Sequence, residues 1–206
     1  MAEIKINTAE LVKTDYKAPV QLLKILGEDN PVLQEVLPPF DFANPPVNPN
    51  EFASALVETC KENRGLGLAA NQCGFRHRVF VMGAGEEFVA HFNPEIIAMT
   101  PEEEIGIEGC LSFPLLNLNV LRPRGIKVKY QDFNGEFKEA TYEGLSARIF
   151  VHEYDHLMGV VFTQRTKPLA LQSGIKKRNK MISNMMKNFR PQKVQKKNHK
   201  HGPSGF

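Results

Sequence analysis

Apolar residues recur at helical spacing in the first half of the chain. Phe52, Leu56 and Cys60 stand at i, i+4 and i+8, which places them on one face of a helix. The pattern predicts a helix from about residue 51 to 63, and Asn50 is the residue type that caps such a helix.

Two further helices are predicted in the second half. One runs from Leu145 to Met158, and Gly159 follows it at the position where helices commonly stop. The other covers residues 172–189 and is basic on one side. The first of the two carries the residues on which the functional prediction depends.

Strand patterns lie between the helices. Residues 79–82 and 88–92 are short apolar runs typical of strands. Asn134-Gly135 is a strong hairpin signal, and in the segment before it Ile126, Val128 and Tyr130 alternate with lysines. Strands and helices alternate poorly along the chain, so the pattern favours an α+β domain over a doubly wound one.

Charge divides the chain of 206 residues into two parts. After Asp155 there is no acidic residue, and residues 156–206 hold 12 of the 26 lysines and arginines. The first 155 residues hold the other 14, together with all 23 acidic residues. We therefore predict a catalytic domain over 1–165 and a basic extension over 166–206, partly helical and then disordered. The extension either binds a polyanionic partner or is a solvated terminus.

Composition and the cysteine count bear on the cellular compartment of the protein. The chain has three cysteines, too few and too scattered to indicate a disulfide framework. The first residues contain no apolar leader, and no run reaches the roughly 18 apolar residues of a membrane span. The sequence predicts a cytoplasmic protein without membrane contact.

A metal-binding pattern lies in the second predicted helix. His152-Glu153-Tyr154-Asp155-His156 has the form H-E-x-x-H, so both histidines lie on one helix face about one turn apart. They continue an apolar stripe that starts with Leu145 and Ile149, and they should therefore point into the protein. The alternative is a pair of core histidines bonded to the backbone.

A hydrolytic metal needs a third protein ligand and one open position. Nothing after His156 serves, because no acid follows and the later histidines lie in the polar tail. Cys110 is the best upstream candidate, since thiolate is a strong ligand for zinc and iron. The alternative for this residue is a buried, inert cysteine.

Three motifs in order resemble those of the peptide deformylases. They are residues 65–72 (GLGLAANQ), 108–112 (EGCLS) and 152–159 (HEYDHLMG). The resemblance covers roughly residues 20–165. It implies metal-dependent removal of the N-formyl group from the formyl-methionine of nascent polypeptides, with release of formate.

The resemblance also implies a fold and a cofactor. Antiparallel or mixed sheets would surround the central helix that carries the H-E-x-x-H motif. One divalent ion is expected, iron(II) natively, with zinc, nickel or cobalt as further options. The implied metal ligands are Cys110, His152 and His156. Glu108 is expected to pair with Arg122 or Arg124 and to steady the cysteine loop.

The resemblance assigns roles to other residues as well. Glu153 is implied as the acid/base, and Gln72 with the backbone amide of Leu111 as the groups that bind the oxyanion. The implied substrate-binding residues are Leu66, Gly67, Gly109, Leu145 and Ile149. The two glycines and Leu66 would present backbone to an extended peptide. Leu66, Leu145 and Ile149 would line the methionine pocket, with plain core packing as the alternative.

Two other functions stay open on the sequence alone. The first is a different H-E-x-x-H metallopeptidase with an upstream cysteine ligand. The second is a non-enzymatic homologue that binds nascent chains or RNA through its tail. The expected partners are the formyl-Met peptide substrate and, through the basic extension, the ribosome.

Overall fold

The computed structural model of the protein describes residues 21–188. Within that range the chain forms three α-helices and seven β-strands. The helices are α1 (Pro49–Glu62), α2 (Gly144–Leu157) and α3 (Pro168–Asn188). The strands are β1 (Gly67–Ala69), β2 (Val79–Ala84), β3 (Glu87–Met99), β4 (Glu103–Cys110), β5 (Phe113–Pro123), β6 (Gly125–Gln131) and β7 (Phe137–Glu143). No helix in this part of the chain is both long and apolar enough to cross a bilayer.

Two antiparallel sheets enclose α2. The larger sheet has the order β1-β2-β3-β6-β7, and the smaller is the β4–β5 hairpin. Helix α2 contacts β1, β2, β6 and β7 of the larger sheet and β5 of the hairpin. The predicted α+β fold around a central motif helix is confirmed. Every strand pairing between described residues is antiparallel, so the sheets are not mixed.

The predicted hairpin joins β6 to β7. Gly135 adopts φ +81°, which a glycine reaches without strain, and Gln131 pairs with Phe137 across the turn. Along β6 the residues Ile126, Val128 and Tyr130 are buried against α2 and its neighbours. The strands predicted at 79–82 and 88–92 are also present, as parts of the longer β2 and β3.

Helix α1 confirms the predicted buried stripe but not the predicted cap. Phe52, Leu56 and Cys60 are all buried. Asn48, not Asn50, caps the helix, and its side chain accepts hydrogen bonds from the backbone N–H groups two and three residues further on. The helix begins earlier because Pro49 has no N–H to satisfy and suits the first helical position.

Helix α2 lies within one residue of its predicted bounds. Gly159 follows it with φ +70°, and a Cβ there would lie 2.6 Å from the carbonyl oxygen of Gln34. The helix is buried around most of its circumference, including both histidines of the motif. A helix with so little exposed surface is held in place by all its neighbours, which suits a carrier of metal ligands.

Helix α3 begins at Pro168, four residues earlier than predicted. Leu171 and Ile175 pack on the apolar cluster of β5, and Gly174 lies so close that a Cβ would be 2.5 Å from a methyl carbon of Leu118. The predicted disorder after Pro191 lies outside the described residues.

Candidate functional site

Three side chains from two elements converge at the centre of the molecule. Cys110 ends β4, and His152 and His156 lie one turn apart on α2. Their candidate ligand atoms are all within 4.8 Å of one another, and Cys110 Sγ is 3.3 Å from His156 Nε2. One sulfur and two imidazole nitrogens at this spacing form a donor set suited to zinc or iron(II).

The orientation of His152 is fixed by an acidic side chain behind it. Its Nδ1 lies 2.9 Å from Glu108 Oε2, so the ring donates there and its Nε2 faces the site. Burial lowers the pKa of His152, but the contacts with Cys110 and Glu108 outweigh burial and raise it to about 10. Burial keeps the pKa of His156 well below its ordinary value, and the neighbouring His152 lowers it further.

Glu108 is the centre of a buried ionic network. It pairs through both oxygens with Arg122, at 2.9 and 3.0 Å, and one oxygen also accepts from Arg148 at 2.9 Å. Of the two arginines predicted as its partner, Arg122 is the one it contacts. Burial raises the pKa of Glu108, but His152 and Arg122 outweigh it and lower the pKa to about 2. The carboxylate behind the histidine therefore stays charged.

The network continues along α2 to Asp155. Arg122 Nη1 lies 2.6 Å from Asp155 Oδ2, and Asp155 also pairs with the half-exposed Arg165. Sequence reasoning did not assign Arg148 or Asp155. Their positions four residues before and three after His152, on the same helix face, were the available signal.

Glu153 is buried beside the ligand cluster with one oxygen unpaired. Its Oε2 has no hydrogen-bond partner among the described residues. Burial raises the pKa of this carboxyl to about 7, against the opposing effect of His152. An unpaired buried oxygen is costly unless something else bonds to it, so its position favours a water molecule or substrate there.

Gln72 is held in a single orientation. Its Oε1 accepts from the backbone N–H of Ala69 at 2.9 Å, which directs Nε2 toward Ser112 Oγ at 3.2 Å and Cys110 Sγ at 3.3 Å. The residue lies in a 3₁₀ turn that follows β1. The adjacent Asn71 donates to the carbonyl oxygen of His156 at 2.8 Å and so joins this turn to α2.

A cavity of about 520 Å³ opens onto these groups. Strand β1 forms an edge of the larger sheet on one side, and the end of β4 lies on the other. Every site residue predicted from the sequence lines this cavity except His156, which is buried behind it. The lining set is Leu66, Gly67, Gln72, Gly109, Cys110, Leu111, Leu145, Ile149, His152 and Glu153.

The arrangement combines the parts that amide hydrolysis needs. It offers a ligand set for a Lewis-acidic ion, a buried carboxylate that titrates near neutrality and an amide donor, all facing one cavity. The glycine of β1 makes room for the carboxylate, because a Cβ on Gly67 would lie 2.5 Å from Glu153 Oε1.

Comparison with known proteins agrees with this arrangement. The model of the polypeptide deformylase family matches residues 22–172. The peptide deformylase of Thermotoga neapolitana is 49% identical over 113 residues, which make up 55% of this chain and 69% of that protein.

Solved structures are similar as well. The crystal structure of the peptide deformylase from Thermotoga maritima aligns with a TM-score of 0.68 at 40% identity, over 72% of this chain and 99% of that one. A class I type b peptide deformylase from Acinetobacter baumannii, in a crystal structure bound to Met-Ala-Ser, aligns with a TM-score of 0.67 at 32% identity. That match covers 71% of this chain and 99% of the other.

Proposed function

The chain belongs to the peptide deformylase family, and from this premise we propose how its own residues carry out the reaction. The protein is a metal-dependent hydrolase that removes the formyl group from N-terminal formyl-methionine. The observation that carries the assignment of roles is the convergence of Cys110, His152 and His156 beside the buried Glu153.

We assign Cys110, His152 and His156 as the metal ligands and iron(II) as the native ion. The donor set fits such an ion because all three candidate ligand atoms are close together. Glu108 supports the site by accepting from His152 Nδ1, which leaves Nε2 as the ligand atom. A divalent ion held there would act as a Lewis acid and would make water acidic enough to react at neutral pH.

Glu153 acts as the proton carrier. Its unpaired Oε2 accepts a proton from the attacking water, and the carboxyl then delivers it to the nitrogen of the leaving amine. A carbon–oxygen bond forms, the carbon–nitrogen bond breaks, and the products are formate and a free amino terminus. A pKa near 7 suits both halves of this cycle.

Gln72 and the backbone N–H of Leu111 stabilise the oxyanion that develops on the formyl oxygen. Gln72 fits this role because its side-chain oxygen already accepts a hydrogen bond from the backbone N–H of Ala69. Its amide NH2 group is therefore oriented before substrate arrives. Leu111 directly follows the ligand Cys110, which brings its backbone to the same point of the cavity.

The cavity binds the formyl-methionine and the residues after it. Leu66, Leu145 and Ile149 surround the methionine side chain, and Gly67 and Gly109 flank the substrate backbone on the edges of β1 and β4. The peptide bound to the Acinetobacter enzyme, Met-Ala-Ser, is the deformylated form of such a substrate. The test is turnover of formyl-Met-Ala-Ser by the iron-loaded protein without oxygen; retention of the formyl group would contradict the proposal.

The basic extension, residues 166–206, brings the enzyme to ribosomes. In α3 the exposed Lys176, Lys177, Lys180 and Lys187 have no acidic partner among the described residues. Such a surface suits the phosphates of ribosomal RNA. Residues 1–165 form the catalytic domain in this proposal, although the first half of α3 packs against them.

A further inference from the structure

One surface of the β4–β5 hairpin has no partner among the described residues. Glu108 on β4 faces inward to the ionic network, so the alternate residues of the strand face outward. The outer face of the hairpin is defined by the cross-strand pairs Ile105–Leu121, Ile107–Asn119 and Gly109–Asn117.

This outer face carries three large aliphatic side chains beside a glycine and two asparagines. Ile105 is 68% exposed and Ile107 73%, and Leu121, which lies opposite Ile105, is 48% exposed. None of its six residues carries a charge. Exposed aliphatic side chains that adjoin one another on a sheet indicate a surface that is covered by another molecule.

The outer face is continuous with the substrate cavity. Ile107, Gly109 and Asn117 belong to the outer face and also line the cavity, where the exposed Leu115 extends the apolar rim. A polypeptide whose first residue reaches the ligand cluster must leave the cavity along one of its walls. The wall formed by β4 leads directly onto Ile107 and Ile105.

We propose that the outer face binds the apolar side chains of the substrate polypeptide downstream of its first three residues. The inference rests on the proposed function, because it takes the formylated chain as the occupant. From Gly109 to Ile105 the strand advances about 13 Å, which matches about four residues of an extended peptide. The enzyme therefore prefers formylated chains in which the residues that follow the first three are apolar.

The test compares three formyl peptides. One is formyl-Met-Ala-Ser. The other two extend it by five residues, which are leucine and valine in one peptide and serine and glycine in the other. Both extensions are followed by lysine for solubility. The values of kcat/KM are measured, together with the affinity of the protein for the corresponding deformylated peptides. The apolar extension should raise kcat/KM about tenfold over the serine-glycine extension, mainly through KM, because burial of apolar surface drives its binding.

The double variant Ile105→Thr, Leu121→Thr should abolish this preference and leave turnover of formyl-Met-Ala-Ser within about twofold. Threonine is β-branched, a shape that strands favour, so folding is preserved at both positions. The matched control is Ile97→Thr, a half-exposed isoleucine of β3 that does not line the cavity. The control should keep the full preference.

Failure of the two proposals can be told apart. No turnover of formyl-Met-Ala-Ser would contradict the proposed function. The affinities for the deformylated peptides would still report whether the outer face binds apolar residues. Equal affinity for the two extensions, or a preference that survives the double variant, would overturn the inference. A wild-type dimer by light scattering that the double variant dissociates would also overturn it, because it would assign the face to a second copy of the chain.

Discussion

At the scale of single residues, the position of Glu153 is the clearest link between burial and chemistry. A carboxyl this deeply buried normally has hydrogen bonds to both oxygens, yet its Oε2 has none among the described residues. The same burial raises its pKa to about 7, so it can both take and give a proton at neutral pH.

Replacement of Glu153 by alanine should therefore abolish turnover without loss of metal. We expect kcat to fall by about 10²–10⁴-fold, the usual contribution of general acid–base catalysis. Elemental analysis and turnover of formyl-Met-Ala-Ser measure the two effects. Glu62→Ala, which changes an exposed glutamate at the end of α1, is the control. A near wild-type kcat would mean that another group moves the proton.

Replacement of Cys110 by alanine should remove most of the metal, because only two ligands would remain in the set. Cys73→Ala is the matched control: burial raises the pKa of this thiol to about 12, so it stays protonated, and it lies outside the ligand set. Metal content per chain is measured by elemental analysis. Full metal content in the Cys110 variant, with normal activity, would contradict the ligand assignment.

Replacement of Gln72 by leucine should lower kcat by about 10²–10³-fold, the usual cost of one oxyanion donor. The metal should be retained, since the side chain is not a ligand. Steady-state kinetics separate kcat from KM. A change in KM alone would make Gln72 a binding residue rather than a catalytic one.

The sequence contained some of this residue-scale information and lacked the rest. The two histidines were predictable because a four-residue spacing on an apolar stripe fixes their direction. The network around Glu108 was only partly predictable, because its contacts to Arg148 and His152 join residues 40 and 44 positions apart. Such pairs depend on how a strand meets a helix, which local spacing does not show.

At the scale of elements, helix α2 was predictable and the β4–β5 hairpin was not. Helix α2 shows a regular apolar period with a glycine after it. Strand β4 inverts the usual pattern: Ile105 and Ile107 face outward, and the charged Glu108 faces the core. Hydrophobic alternation places apolar residues inside, so it gives no correct signal for a strand whose inner face is ionic.

The edge strand β1 offers a test at this scale. Gly67 lies against Glu153, and a Cβ there would be 2.5 Å from the carboxylate. Gly67→Ala should lower kcat/KM by about 10²-fold, because small displacements of a catalytic group have effects of that size. Gly27→Ala is the matched control, since a Cβ at Gly27 meets nothing within 4 Å. Wild-type kinetics for the Gly67 variant would show that the carboxylate can move aside freely.

At the scale of the whole molecule, charge alone does not mark where the basic extension separates from the rest of the protein, called the body below. The charge pattern divides the chain near residue 165, but Leu171 and Ile175 pack on the hairpin, and Arg178 pairs with Glu28 at 2.6 Å. Beyond Arg178 the helix leaves the body: Met181, Ile182, Met185 and Met186 are all exposed to some degree. A deletion that tests the tail must therefore start after this contact.

Truncation after Asn179 removes the outer part of the extension and keeps the packed part. It deletes seven of the 11 basic residues of the extension and leaves Arg178 with its partner. We expect kcat/KM for formyl-Met-Ala-Ser to stay within about twofold, since the cavity lies elsewhere. Co-sedimentation with ribosomes at low salt should fall sharply, because fewer lysines and arginines remain to contact phosphates. The slope of log K against log salt should also become shallower, by about 0.7–0.9 for each phosphate contact that is lost. The full-length chain, measured over the same salt series, is the control. Equal ribosome binding by both chains would contradict the docking role and leave the tail as a solvated terminus.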